Sequence, residues 1–568
     1  MTSQSAVKHI FRTVISIPAL LAVACTATSA LGQVVTPDVN GIVHDQANRN
    51  AQQESEERAA RQGAPQVIEP NSRQVLGPFP VEKPCFGIEH TVVSGSDNAK
   101  LKWLSGAADT YKGYCIGPKG LNYILKDLQG QIINRGYVLT RIGVPENPLR
   151  ESTLFLRVVP GVVSAVQGSS ARAIREFKFA WPQSVGDIYQ LEAADQATEQ
   201  MLRIPGRKFH ADVAPGPAVG NSIINAQVEE APLLSAALSV NDFAGHTVGS
   251  WQGSGTLTAQ DALGLNELLS VNYNNRLTSP GVPANSVGDN ATFSIPYGWW
   301  TFGVTGAESR YQQEILASVT DFESLGTQKS ASVWIKRSVH RDTSSHTDLQ
   351  FQLQRRWNRS YIDGTEIGLQ HQDLTDAQVS ILDARNFGGA EFDSELSYRQ
   401  GLPTILAAQE DEQGRTSDLP TSRYKIAVFD TIGTVPFDSA VVSSYRIEAR
   451  AQYGFNQSFG PDLFAAGGPY TVRGYNSDTA ILGKSGWYVR QDLASVSLAN
   501  LVQPFLFLDM GQASASNEIL AGFGPGLRAD WHGLQLMAYA ADAVSRAPDN
   551  KTRCCQLGLS LSYNVTAF

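Results

Sequence analysis

From about Leu233 to the C-terminus, apolar residues fall at every second position, segment after segment. Leu269, Val271 and Tyr273 alternate with Ser270, Asn272 and Asn274. Leu349, Phe351 and Leu353 alternate with Gln350, Gln352 and Gln354. Ile447, Ala449, Ala451 and Tyr453 alternate with Glu448, Arg450 and Gln452, and Leu557, Leu559, Leu561, Tyr563 and Val565 with Gly, Ser and Asn. Period two is the signature of a strand with one apolar and one polar face. A soluble sandwich also alternates. Here the polar face repeats Gln, Ser, Asn, Arg and Glu over many segments, which is what a water-filled lumen requires. A closed barrel pairs every backbone group and leaves no edge, so it tolerates lipid outside. The expected architecture is a transmembrane β-barrel over residues 232–568, with about 16 antiparallel strands of about 10 residues.

The N-terminus fits such a destination. Lys8 and Arg12 precede the apolar stretch VISIPALLAVACTA, and small residues follow to Gly32. This reads as an export signal over 1–32, cut after Gly32. A buried N-terminal helix, or a lipoprotein signal acylated at Cys25, are the other readings. Elsewhere no apolar run is long enough for a membrane-spanning helix, which barrel strands do not need. The chain of 568 residues is mildly acidic, with net charge −9 and only 17% charged residues. That balance does not suit phosphate neutralisation, so no nucleic-acid partner is expected.

Residues 33–62 are polar and helix-prone, with DQANRNAQQESEERAARQ free of Gly and Pro and almost without an apolar face. Such a helix is solvated or sits in a polar cavity. Residues 63–81 are rich in Pro and Gly and read as a linker. Two small α+β segments follow, at 82–162 and 163–231. In the first, Ile88, His90 and Val92 alternate as a strand, Leu121, Ile124, Leu125, Leu128 and Ile132 keep helical spacing, and Leu154, Leu156 and Val158 return to period two. In the second, Phe177 and Phe179 alternate as a strand would, DIYQLEAADQATEQMLR is helical with Asp187 as its cap, and IINAQVE is a closing strand. In an exported chain cysteines tend to pair, and Cys85 with Cys115 is the natural bridge. A zinc site competes, but no second C-x-x-C or His pair accompanies these cysteines. The vicinal Cys554 and Cys555 stay open between a strained bridge and two thiols.

No nucleophile elbow, H-E-x-x-H or dinucleotide fingerprint occurs, so no catalytic residue and no metal ligand is assigned. LGKSG at 482–486 lacks the first glycine of a phosphate loop, and AGFGPGL at 521–527 reads as a thin strand.

With these residues in place, the sequence resembles the outer-membrane transporters of two-partner secretion, which export haemolysins and haemagglutinins. KPCFGIEH, YKGYCIG and NRGYVLTRIGVPENPL resemble the family's first polypeptide-transport-associated (POTRA) domain, with Cys85 and Cys115 where a disulfide is common. Pro205-Gly206 and IINAQVEEA resemble the second POTRA domain, and SVNDFAGHTVGSWQG, DALGLNELLSVNY and SIPYGWW the first barrel strands. GGPYTVRGY and FLFLDMG match the family's paired motifs, a Val-Arg-Gly-Tyr loop folded into the lumen and a Phe-x-Asp-x-Gly strand facing it. The resemblance implies that Val472, Arg473, Gly474 and Tyr475 form the loop tip and Phe507, Asp509 and Gly511 the strand that receives it, with Arg473 paired to Asp509.

It further implies that 33–62 is a plug helix, that no cofactor is needed, and that the protein sits in the bacterial outer membrane with its POTRA domains in the periplasm. The partner would be a large β-helical exoprotein, with outer-membrane lipid around the barrel and the barrel-assembly machinery inserting it. A barrel-assembly factor and a solute porin are the alternatives. In one respect the chain departs from the family: Phe568 is one residue out of phase with Leu559, Leu561, Tyr563 and Val565, so a bulge or a loosely read terminal signal is expected.

Overall fold

The computed structural model describes residues 77–245, 250–277, 284–315, 322–342, 344–407, 419–477, 480–499, 501–544 and 556–566. The expected export signal, the plug helix, most of the 63–81 linker, Cys25, Cys554, Cys555 and Phe568 lie outside the described residues.

In the first small domain, helices α1 (Trp103–Asp109) and α2 (Pro118–Asn134) cover a sheet in which His90–Ser94 runs parallel to Thr153–Val159 and Arg141–Gly143 antiparallel to it. The helical spacing puts Ile124, Leu128 and Ile132 inside, where Ile124 and Leu128 meet Leu154 and Leu156. Pro118 suits the first helical position, where its missing N–H costs nothing. Gly117 has no side chain to cap α2, and Glu82 does so from a distance. Gly117 N–H donates to Glu82 Oε1 at 3.0 Å, Lys119 N–H to Oε2 at 3.1 Å and Gly120 N–H to Oε1 at 2.6 Å. Cys85 and Cys115 form a disulfide with Cα atoms 5.2 Å apart. The first strand runs in the opposite phase to the one expected. Thr91 and Val93 turn inward, while His90 and Val92 are exposed. The phase breaks because Ile88 lies between two sheets: Phe86–Gly87 pairs with Cys115–Ile116, and the strand proper starts at His90.

The second small domain orders its strands Val162–Gly168, Asn221–Glu229 and Lys208–Pro215, covered by α3 (Ala171–Ala180) and α4 (Leu191–Leu202). Phe177 and Phe179 lie on α3, not on a strand. Ala173, Glu176, Phe177 and Ala180 are its buried face, at helical spacing, and Ser170 caps it by accepting from Ala173 N–H at 3.0 Å. Asp187 does not cap α4, which begins after Gln190; its carboxylate instead accepts from Ser184 N–H in the preceding turn. Ile188 of this domain packs with Leu101, Leu104, Ile132, Tyr137 and Val158 of the first, so one apolar cluster joins the two.

The remaining chain closes into an antiparallel barrel of sixteen long strands, from Leu234–Asn241 to Gln556–Thr566, with the two-residue pairing Thr365–Glu366 added to one hairpin. First and last strands pair from Ser235 with Thr566 to Asn241 with Ser560 without a register shift. The described part of the last strand therefore carries no bulge on either side. Alternation decides the faces. In Val502–Ala513, Leu506 and Leu508 are 62% and 43% exposed, while Phe505, Phe507, Asp509 and Gly511 are buried. Leu269, Val271, Val304, Val333, Phe351, Val379 and Leu396 extend the same exposed apolar belt around the wall. A belt this continuous would not stay in water and fits a lipid contact.

The second small domain is fastened to the rim where the chain enters the barrel. Arg172 and Arg207 both bind the Asp261 carboxylate, Arg207 Nη1 donates to Asn266 Oδ1 at 2.5 Å, and Asn266 Nδ2 donates to Glu176 O at 2.8 Å. On α4, Gln196 donates to Gly298 O at 3.2 Å and Glu199 pairs with Arg341.

Candidate functional site: a loop held inside the barrel

Between the strands Val442–Gly454 and Gly486–Ser495, the chain leaves the wall at the end of the barrel away from the small domains and folds into the lumen. Phe464–Ala466 and Ile481–Gly483 pair as a short hairpin within this loop. Beyond it the backbone makes a tight turn, in which Gly467 N–H donates to Thr471 Oγ1 at 3.0 Å and Gly468 N–H to Val472 O at 3.2 Å. The turn presents Arg473 to the wall.

The structure brings Val472, Arg473, Gly474, Tyr475, Phe507, Asp509 and Gly511 into one place. Arg473 Nε donates to Asp509 Oδ2 at 2.6 Å, Nη2 donates to Oδ1 at 2.7 Å, and the Arg473 backbone N–H donates to Oδ2 at 3.1 Å. The guanidinium also lies 3.8 Å from the Phe507 ring centre. Arg473 and Asp509 are 1% and 0% exposed. Two parallel bonds, a backbone bond and a π face fix both the position and the angle of the arginine. Tyr475 is buried, and its hydroxyl donates to Ala521 O at 3.1 Å while accepting from Ala521 N–H at 3.2 Å. Val472 packs with Phe464, Tyr475, Tyr488 and Leu520.

Three glycines make room. Gly474 sits at φ +98°, and a side chain there would press on the Asp542 backbone. A Cβ on Gly511 would lie 2.9 Å from Val472 Cγ2. A Cβ on Gly522 would collide with the Arg473 carbonyl. Only glycine lets the loop backbone lie this close to the wall.

The motifs did not reveal the rest of the charge set. Arg473 Nη2 also donates to Asp492 Oδ1 at 2.7 Å, and Asp492 is bound by Arg528. Arg490 lies 3.6 Å from Glu448 and donates to Tyr470 O at 3.5 Å. Three arginines thus face three carboxylates, and the cluster is neutral as a whole. The signal was present in the alternation: in WYVRQDLAS, Tyr488, Arg490, Asp492 and Ala494 share the lumen face. The cluster fastens a loop and contains no nucleophile with an adjacent base. Among the described residues no group of His, Cys, Asp and Glu is arranged to hold a metal ion.

Comparison with known proteins gives the family. Residues 220–529 match the family described as haemolysin secretion/activation protein ShlB/FhaC/HecB, and residues 86–161 match the ShlB-type POTRA domain. The chain is 30% identical over 515 residues to the outer membrane transporter CdiB-2 of Burkholderia pseudomallei strain 1026b, covering 86% of this chain and 87% of that protein. It is 23% identical over 481 residues to the hemolysin transporter protein ShlB of Serratia marcescens, covering 84% and 82%. The solved structure of CdiB from Escherichia coli superposes with a TM-score of 0.81 over 94% of this chain and 100% of that one, which at 20% identity speaks for the fold. The chain belongs to the haemolysin secretion/activation protein ShlB/FhaC/HecB family, the outer-membrane barrel transporters of two-partner secretion with periplasmic POTRA domains.

Proposed function

We propose that this transporter receives its exoprotein unfolded, on the sheet edges of its two POTRA domains, and threads it through the lumen past the loop tipped by Arg473. The observation that carries this reading is a set of sheet edges left open, among the described residues, below a polar barrel. His90–Ser94 borders the first sheet and Lys208–Pro215 the second, whose other border, Val162–Gly168, is already paired at Val163 by the backbone of Gly186 and Asp187. An extended polypeptide can add to such an edge through main-chain hydrogen bonds, which tolerates many sequences. Residues 1–32 are the export signal, 33–62 the plug that leaves the pore, 63–81 the linker, 82–162 and 163–231 the two POTRA domains, and 232–568 the barrel. The partner is a large β-helical exoprotein whose folding outside gives direction without nucleotide. Outer-membrane lipid surrounds the apolar belt, and the barrel-assembly machinery inserts the chain. Arg473 and Asp509 anchor the loop in the conducting state.

Co-expression with a neighbouring open reading frame for a large exported protein, with surface export measured, tests the reading. Export is expected from the parent and a sharp drop from Arg473→Ala and Asp509→Ala. Unchanged export in both variants would remove the role given to that pair.

A further inference from the structure

The loop is held by more than its tip. At its base lies a short turn, Gly460–Asp462 with Pro461 inside it, and the Asp462 carboxylate meets the barrel wall. Asp462 Oδ1 accepts from Arg356 Nη1 at 2.8 Å and from Arg399 Nη2 at 2.7 Å, and Oδ2 accepts from Arg356 Nη2 at 3.1 Å. Arg356 Nε in turn donates to Asp376 Oδ2 at 3.2 Å, and Tyr424 OH donates to the same oxygen at 2.8 Å while also meeting Arg356. The Asp462 backbone carbonyl accepts from Gln452 Nε2 at 2.8 Å. Leu374, Tyr424, Ile426 and Phe459 form the apolar floor of this cluster. The Asp462 and Asp376 side chains are each 1% exposed and Arg356 is 5% exposed.

The charged wall residues at the base belong to other strands than those that hold Arg473. Arg356 lies on Ser345–Ile362, Asp376 on Gln372–Phe387 and Arg399 on Ala390–Gly401. Asp509, Asp492 and Gly522 lie on Val502–Ala513, Gly486–Ser495 and Leu520–Trp531. Strands Lys425–Pro436 and Val442–Gly454 separate the two sets along the wall. The loop is therefore a strut fastened at two places on the barrel, each by a buried and charge-balanced set of groups.

We infer that Asp462 is a positioning residue that fastens the base of the pore loop to the wall at Arg356 and Arg399, and that this second fastening holds the lumen constricted independently of the Arg473 tip. A carboxylate that loses its charge there leaves Arg356 and Arg399 without their shared anion, with Asp376 alone facing the two cations, a large penalty for buried charges. The base of the loop then moves while the tip stays bound to Asp509. The inference rests on the loop geometry and needs no exoprotein, so its test is separate from that of export.

The full-length protein in planar lipid bilayers, with inorganic chloride salt as the probe, gives the current steps. Trypsin added outside intact cells reads the exposure of the loop by cleavage after Lys484. Asp462→Asn is expected to raise the frequency of large current steps and the rate of cleavage after Lys484 by about tenfold, as the loss of a buried charge partner shifts a two-state balance by at least that factor. Asp462→Glu keeps the charge and is expected to restore parental currents, which a general loss of packing would not allow. Gel mobility before and after heating reports barrel closure. If Asp462→Asn does not close, Arg399→Gln, whose side chain is 22% exposed, carries the same two readouts. Parental currents and parental cleavage in a closed Asp462→Asn or Arg399→Gln barrel overturn the inference.

Discussion

Arg473 is held by two carboxylates, a backbone bond and a ring, so the energetics at this site depend on which part is removed. Arg473→Ala strands Asp509 in a site with 0% exposure, and breaking one partner of such a pair costs about 3–5 kcal/mol. Arg473→Lys keeps the charge but loses the fork that reaches both Asp509 and Asp492, so it falls between parent and alanine. Gly522→Ala acts on the other side of the contact. Its methyl group would occupy the place of the Arg473 carbonyl, and overpacking of this kind costs about 1–3 kcal/mol. The temperature at which the folded barrel loses its heat-modifiable gel mobility should fall in the order parent, Arg473→Lys, Arg473→Ala, with Gly522→Ala also below the parent. A parental midpoint for Gly522→Ala would mean that the loop tip does not lie against that strand. Arg473 and Asp509 were legible as a pair because the family resemblance of two short motifs implies it. Asp492 and Arg528 carry no motif, and only strand register makes them neighbours.

Among the elements, α2 shows how local pattern and remote contact share the work. Its apolar spacing is visible in the sequence, but its cap is Glu82, more than thirty residues upstream of the N–H groups it accepts from. The bond from Gly120 N–H, helped by Lys119 and Gly117, pulls the Glu82 carboxyl below its ordinary value of 4.5, against a smaller effect of burial. A carboxyl whose folded-state value is depressed stabilises the fold above the ordinary value and loses that contribution as pH falls through the folded one. Thermal unfolding of the POTRA domains should therefore weaken more steeply below about pH 4.5 in the parent than in Glu82→Gln, which lacks the titrating charge. Equal pH profiles for the two would remove the cap. The reading of Phe177 and Phe179 as a strand failed for a related reason. Two alternating aromatics fit either period, and the buried set Ala173, Glu176, Phe177 and Ala180 settles it as helical.

For the whole molecule, the arm and the barrel are joined by polar groups. Arg207, Glu176 and Asp261 are buried at the rim, and Arg172 closes the set from α3. Ile188 carries the same stiffness onward to the first domain. The arm therefore turns with the barrel rim, and Arg207→Ala should free it by leaving two buried carboxylates short of a cation. Spin labels on the second small domain and on the barrel should give a narrow distance distribution in the parent and a broad one in Arg207→Ala. Equal widths would show that the seam does not set the arm's orientation.

Alternation determined the barrel, and two short motifs read through the family resemblance determined the class, because period-two polarity is a local property and a barrel wall repeats it on every strand. The same local character made helix α2 legible from spacing, while the Arg473–Asp509 pair was implied by the family resemblance of two short motifs. What tertiary structure alone decided is the company those residues keep. Asp492 and Arg528 at the tip, Asp462 with Arg356 and Arg399 at the base, and Arg207 with Asp261 at the rim are pairs of groups far apart in the chain. Their partnership follows from strand register and from the path of one loop through the lumen, and neither quantity is written in the spacing of a single segment.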